Sequence, residues 1–361
     1  MTAASNTAHI VLLSGDGIGP EVIESAAAVL QCAARLGQLE LRLEEGWIGG
    51  AAIDRCGDSI APDTLESCLK ADAVLLGAVG GPRWEHLPGH LRPETGLLRL
   101  RSAMKVYANL RPVRSRSALA AFTPYRPEIL AGVDIMMIRE LTGGLYFGER
   151  HRSETEAFDT CRYSKIEVER IARVAGRAAR ARKGRLCSID KANVLDTSRL
   201  WRQVMSETIA REFPELILEH ILVDAAAMYL AQRPASFDVI VTENLFGDIL
   251  SDQSSTLAGS LGLLPSASLG DGTRGLYEPI HGSAPSIAGR GIANPIGAIL
   301  SVALLFRYSL GHDHLARMIE DGVEEILDGS VLTPDLDPDS RLTTSDVTRM
   351  LCAVMSRHQV V

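Results

Sequence analysis

The sequence predicts an α/β fold, and two observations carry that expectation. Short apolar runs of strand length alternate along the chain with longer amphipathic stretches of helical period. Several of those runs end in glycine or in polar residues, and α/β proteins place their functional groups at the carboxyl ends of strands. At 361 residues the chain exceeds the size at which one core stops growing, so two domains are expected. No low-complexity tract, Pro/Ser linker or internal repeat separates them, so they should share a continuous core or cross over.

Taken in order, "HIVLLSGDGIGPEV" (9–22) reads as a strand, a glycine-rich turn and a helix start. The turn is spaced G-x-G-x-G, not G-x-G-x-x-G, so a Rossmann fingerprint is not met. It either keeps side chains clear of a ligand or is structural. "ADAVLLGAVGG" (71–81) is a second buried strand ending in glycines, and "VDIMMIRELTGG" (133–144) a third. Between 143 and 165 the helical pattern lapses into polar residues with interleaved aromatics, which suggests strands leaving the main body as an arm, read as a dimer contact. "GRLCSIDKAN" (184–193) and "SFDVIVTENLFGD" (236–248) repeat the strand pattern, and a helix is expected from Asn244.

Composition narrows the function. With 46% hydrophobic and 23% charged residues the chain reads as a soluble globular protein. A net charge of −8 argues against nucleic acid as the main partner. The one basic run, Arg173 to Arg185, reads as the solvated face of an Ala-rich helix. The N-terminal stretch lacks the marks of a signal peptide. No apolar run reaches the ~20 residues that cross a bilayer; the nearest, "GAILSVALLF", is half that. The six cysteines form no metal-binding spacing and read as reduced thiols of a cytoplasmic protein.

The residues that could carry chemistry cluster at strand ends. Asp248 and Asp252 lie one helical turn apart, so their carboxylates share a face and repel each other. On an exposed helix they would simply be solvated. Beside a substrate pocket they would suit Mg²⁺ or Mn²⁺, which prefer hard oxygen ligands, and Asp224, a lone acid in "ILVDAAAM", offers a third carboxylate. Arg101, Arg111 and Arg139 sit near strand ends, where guanidinium forks match a substrate with more than one carboxylate. Singly, each also suits a surface ion pair. Lys191 in "SIDKAN" closes another strand, where a partly buried amine can act as a base.

These motifs, with "GDGIGPEV", "RPETGLLRLR", "RELTGGLYFGE", "SIDKANVLD", "NLFGDILSD" and "HGSAPSIAGRGIANPIGAILS", stand nearly end to end and in one order. In that series the chain resembles the β-decarboxylating dehydrogenases, the family of isocitrate, isopropylmalate, homoisocitrate and tartrate/D-malate dehydrogenases. The resemblance implies a fold distinct from Rossmann domains, with one domain from 1–106 plus 260–361 and the other from 107–259. The cleft between them would hold substrate, metal and NAD. It further implies Asp224, Asp248 and Asp252 as metal ligands and Arg101, Arg111 and Arg139 as the malate clamp, with Asp224 also near the substrate. Tyr146 and Lys191 match the catalytic pair. Ile18, Glu278, His281, Gly282, Ser283, Ala284, Ser286, Ile292 and Asn294 match the cofactor side. Lys191 and Asp224 reach a partner's site in this family, so a homodimer is implied.

The substrate would be set by Glu94, Leu97 and Leu98. On a helix the two leucines share a face with Arg101, and an apolar pocket beside the clamp excludes a third carboxylate by leaving it unpaired. The same leucines also suit a core. A branched 3-alkyl group points to 3-isopropylmalate and hence to leucine biosynthesis; another 3-substituted malate, or D-malate or tartrate, is the alternative. A silent relative serving as an assembly subunit would have lost one of Tyr146, Lys191 and the aspartates, and all are present. One position departs from the family: Ser286 stands where NAD-dependent members carry an aspartate that binds the adenosine ribose.

Overall fold

The computed structural model describes residues 7–358. Within that range the chain divides into two units, one built from the chain up to Val106 and from Ser260 onward, the other from Tyr107–Gly259. Numbered along the chain, strands β1 (Thr7–Gly15), β2 (Glu40–Gly46) and β3 (Ala73–Ala78) open the first unit. The second holds β4 (Ala108–Arg114), β5 (Asp134–Glu140), β6 (Arg150–Arg152), β7 (Ala157–Asp159), β8 (Arg185–Asp190), β9 (Ile217–Leu222) and β10 (Val239–Thr242). The chain then returns to the first unit with β11 (Pro265–Leu269) and β12 (Gly275–Pro279).

In the first unit the strands run in the order β2-β1-β3-β12-β11, parallel except for the antiparallel pair β11–β12. All six residues of β3 are buried, as an unbroken apolar run covered on both faces requires. Val11, Leu13, Val74, Leu76, Leu100 and Leu276 pack there with no exposure. The run "GAILSVALLF" lies inside helix Ile296–Tyr308, whose residues from Ile296 to Phe306 are all buried. Its length of apolar sequence thus serves a core, and among the described residues no helix is long and apolar enough to cross a membrane.

The second unit orders its strands β4-β5-β10-β8-β9, with β4 antiparallel to β5 and the rest parallel. Within 143–165 the chain forms an antiparallel hairpin of β6 and β7, exposed at all six strand positions. Phe158 on that hairpin stacks on His151 and keeps 48% of its surface exposed. The basic run is a helix, Lys165–Arg180, and the stretch just beyond it. Its arginines are largely spoken for, with Arg173 on Glu212, Arg180 on Glu215 and Arg182 on Asp134 and Asp238.

The glycine-rich turn after β1 turns out to join two distant segments. Asp16, 4% exposed, accepts the backbone N–H groups of Gly50, Ala51 and Gly80 at 2.8 Å each. Burial raises its carboxyl pKa. Gly17 adopts φ +59, and a Cβ there would sit 1.9 Å from the carbonyl oxygen of Ser283. The next residue, Ile18, donates its N–H to that same oxygen at 2.8 Å. The turn is bare so that the 283 loop can lie directly on it. Gly17→Ala should therefore lower the thermal midpoint, with the left-handed backbone alone costing ~1–2 kcal/mol and displacement of the 283 loop adding to it. A melting curve unchanged from wild type would show that the two segments part freely.

Candidate active site

The end of β5 and the start of helix Asn244–Ser255 form one buried polar network in the second unit. Strand alternation sends Arg139 and Glu140 to opposite faces, and both are buried, at 3% and 0% exposure. Arg139 donates from Nε to the Asn244 carbonyl at 2.9 Å and from Nη2 to Asn244 Oδ1 at 2.8 Å. The Asn244 amide in turn donates to the Gly143 carbonyl at 3.1 Å, and its backbone N–H to the Tyr163 hydroxyl at 3.0 Å. Glu140 accepts from the backbone N–H groups of Thr142 and Gly143, and burial raises its pKa. Glu243 caps the helix through the Phe246 N–H at 2.9 Å. This scaffold fixes the turn Gly144–Tyr146. From it the Tyr146 hydroxyl donates to Asp248 Oδ2 at 2.7 Å. Burial, together with that bond, pushes the phenol's pKa up to about 12, so it keeps its proton at neutral pH.

The two aspartates of that helix each face an arginine. Arg139 Nη1 meets Asp248 Oδ1 at 2.5 Å, and Arg111 Nη1 stands 3.6 Å from Asp252 Oδ1. Arg111 is anchored by donating to Asn109 Oδ1 and Ser251 Oγ. The Asp248 and Asp252 side chains are 37% and 62% exposed, so both oxygen donors are open to a hydrated cation. Asp224, in the first turn of helix Val223–Gln232, does not join them. It accepts from Lys191 Nζ at 2.7 Å, and that bond lowers its pKa. Among the described residues no group of three or more His, Cys, Asp or Glu could hold a metal ion. Within one chain Asp248 and Asp252 thus stand together while Asp224 stands with Lys191, the arrangement expected where Lys191 and Asp224 serve a partner's site.

In the first unit Arg101 is 9% exposed and its Nη2 donates to Glu278 Oε1 at 2.6 Å. Its Nε is sealed from solvent without a partner among the described residues. Glu94, at the start of helix Pro93–Met104, lines a cavity of about 390 Å³ with Gly81, Trp84, Glu85, Arg92 and Pro93. The two leucines divide: Leu97 packs against the core cluster of Leu76 and Leu100. Leu98 is half-buried outside that cluster. The core alternative therefore fits Leu97, and Leu98 is left as the apolar residue beside Glu94 and Arg101 on this helix.

The loop 281–294 is held from both sides. His281 Nδ1 meets the Gly282 carbonyl at 2.9 Å, its Nε2 is buried without a partner among the described residues, and burial lowers its pKa. Ser283 is buried and Gly282 and Ser286 are exposed. Ala284 takes φ +40. Glu21 accepts the Gly289 N–H at 3.1 Å. Thr344 donates its N–H to the Gly291 carbonyl and its hydroxyl to that of Ala293. Asn294 donates to Asp335 at 3.1 Å and accepts the Ile296 N–H at 3.0 Å, flanking half-buried Ile292. Asn244, Glu140, Glu21, Thr344 and Asp335 were missed in the sequence. Only Asn244 left a signal, as the polar residue at which the helical pattern begins just past a buried strand.

An isocitrate/isopropylmalate dehydrogenase family profile matches residues 9–351. A 3-isopropylmalate dehydrogenase of Bacillus licheniformis is 50% identical, covering 96% of each chain. One of Oleidesulfovibrio alaskensis is 53% identical, covering 91% of this chain and 93% of its own. Among solved structures, an isocitrate dehydrogenase from Methylococcus capsulatus superposes with a TM-score of 0.86 at 33% identity, covering 96% of this chain and 99% of its own. A β-decarboxylating dehydrogenase from Thermococcus kodakarensis gives 0.80 at 37%, covering 97% and 96%.

The two aspartates should respond differently to loss of charge. Asp252→Asn should weaken Mn²⁺ binding by ~10-fold or more and leave the thermal midpoint nearly unchanged, because Arg111 is anchored elsewhere. Asp248→Asn should weaken Mn²⁺ to a similar degree and also cost on the order of 1–2 kcal/mol of stability, since buried Arg139 loses its carboxylate. Calorimetric titration with Mn²⁺ reads the first effect and thermal melts the second. Unchanged affinity in both variants would remove these residues from any metal site.

Proposed function

The chain belongs to the isocitrate/isopropylmalate dehydrogenase family, and from that premise we propose that it oxidises and decarboxylates 3-isopropylmalate with NAD in leucine biosynthesis. The match over nearly the whole chain to enzymes named for that substrate carries the reading. It is supported by Arg101, buried with an unpaired Nε on the same helix as Leu98. A buried guanidinium N–H without a partner is costly unless a ligand supplies the acceptor. A branched alkyl group beside a carboxylate suits both.

In the proposed reaction Arg101, Arg111 and Arg139 orient the malate carboxylates through charge-assisted hydrogen bonds. Lys191 takes the proton of the 2-hydroxyl at Nζ, and Asp224, already bonded to that nitrogen, holds the amine in place. The 281–294 loop, with Ile18, would hold NAD, which would supply the hydride acceptor for C2. After CO₂ departs, Tyr146 delivers its phenolic proton to C3, and its raised pKa keeps that proton available. Asp248 and Asp252, with Asp224 from a second copy of the chain, would hold a divalent cation, which would supply charge stabilisation for the oxyanion that develops. The buried network around Asn244 keeps Arg139 and the Tyr146 turn in register throughout.

A homodimer follows from the same reading. Met228 and Ile249, on helices Val223–Gln232 and Asn244–Ser255, are 46% and 58% exposed. Apolar side chains in such a position suit a helix pair of a second copy. The exposed β6–β7 hairpin offers a further contact.

Two measurements test the reading. NADH formation with Mn²⁺ should be fastest on 3-isopropylmalate, with isocitrate and D-malate slower by ~100-fold or more in kcat/KM, as desolvated unpaired carboxylates or lost alkyl contacts require. Comparable rates on either would overturn the substrate assignment. The second concerns Ser286, exposed in the cofactor loop with Arg290 nearby. A neutral hydroxyl bonds a ribose by ~1 kcal/mol against ~1.5–3 for a carboxylate, and it does not repel a 2′-phosphate. NAD should be the working cofactor with weak discrimination, and Ser286→Asp should raise the NAD-over-NADP ratio of kcat/KM by ~10-fold. Strong NADP preference in the wild type, or an unmoved ratio, would exclude this role for Ser286.

A further inference from the structure

Glu278 lies near the end of β12, just before the cofactor loop, yet its carboxylate is turned to the helix that carries the substrate-side residues. It is 8% exposed and receives Arg101 Nη2 at 2.6 Å, while Arg101 itself is 9% exposed. The pair joins β12 to helix Pro93–Met104, which also carries Glu94 and Leu98. A long arginine side chain has many rotamers, and one short charge-assisted bond to a group on a central strand removes most of that freedom. With Nη2 committed to Glu278, the remaining fork is oriented as a unit because the guanidinium is planar. The Nε is buried and unpartnered, and the whole guanidinium is oriented before any ligand arrives. Glu278 also offsets the Arg101 charge, so the guanidinium is not left buried without a counter-charge.

We propose that Glu278 is a positioning residue of the substrate side, which holds Arg101 in its carboxylate-binding geometry, and that it makes no essential contact with the cofactor. The inference rests on the reading of Arg101 as a substrate-carboxylate ligand. It assigns Glu278 to a different ligand from the one that family resemblance implies for it.

Separate KM values for 3-isopropylmalate and NAD decide between the two. Glu278→Ala should raise the malate KM by ~10-fold or more and leave the NAD KM within about twofold, because one charged contact is lost on one side only. Glu278→Gln keeps an acceptor for Nη2 and should bring the malate KM back to within about threefold of wild type. Where the alanine variant does not fold, Glu278→Asp takes its place. It keeps the charge but is one methylene too short for a 2.6 Å contact, so the malate KM should again rise alone. In an Arg101→Ala background, Glu278→Ala should add no further change to the malate KM, since coupled residues do not act additively.

A rise in the NAD KM with the malate KM unmoved would overturn the proposal, as would additive effects of the two substitutions. A wild-type enzyme that turns over a different 3-substituted malate would sink the substrate reading alone, and the same pair of KM values, taken with that substrate, would still decide the role of Glu278.

Discussion

The second unit depends on one fully buried amide. Asn244 accepts from Arg139 through both its backbone carbonyl and its side-chain oxygen, and it donates to the carbonyl of Gly143. An asparagine side chain carries an acceptor and a donor on one rigid plane. The orientation of Arg139 and the position of the turn leading to Tyr146 are therefore set by the same group. Each bond lies in a water-excluded interior, where an unsatisfied partner costs more than a satisfied one gains. That asymmetry makes the arrangement specific as well as stable. The turn cannot shift without stripping the amide, and the amide cannot rotate without stripping the arginine. Tyr163 and Glu243 close the network from the other side, at the backbone N–H of Asn244 and at the helix cap.

The first unit reaches comparable order with backbone groups. Asp16 gathers three amide protons from Gly50, Ala51 and Gly80, and the missing Cβ of Gly17 admits the carbonyl of Ser283. The segments after β2 and β3 are thereby tied to one carboxylate in the turn after β1. The 281–294 loop is held on the bare turn by Ile18, at its middle by Glu21 and at its end by Thr344. A loop bound at several points along its length has little entropy left to lose on meeting a ligand.

Much of this was legible in the sequence where the signal is local. Strand runs, the helix after Asn244 and the strand-end positions of Arg139 and Lys191 follow from periodicity and from what ends each run. What escaped was pairing at a distance. Nothing near Gly17 indicates that its neighbour is Ser283, and nothing in "YEPIHG" indicates that Glu278 meets Arg101, since both contacts are made by the sheet order. Leu97 and Leu98 show the same limit at short range. Both lie within one turn of Arg101, but a helix rotates its side chains by roughly 100° per residue, and only packing decides which of two neighbours enters the core. Asp224 illustrates a third kind of limit. Spacing offers it as a third carboxylate for Asp248 and Asp252, whereas the fold turns it to Lys191, and nothing in the order of residues shows that choice.

Charge balance ties these local arrangements to the chemistry. In the second unit Arg139 faces Asp248, Arg111 faces Asp252 and Lys191 faces Asp224; in the first, Arg101 faces Glu278. Every cation given a role in the reaction is already matched by a carboxylate in the free chain, so folding buries no uncompensated charge. Three of those four carboxylates are also the proposed cation ligands. In the proposed reaction, a dianionic malate arriving with a dication would let Arg111 and Arg139 exchange an aspartate for a substrate carboxylate. Net charge in the pocket is then conserved, and the desolvation cost has been met in advance by the fold. Arg101 is the exception: its partner Glu278 is not among those ligands and has no reason to leave. The bond to Glu278 thus fixes the Arg101 guanidinium in one orientation, and such preorganisation is what a carboxylate ligand needs in order to bind in a single geometry.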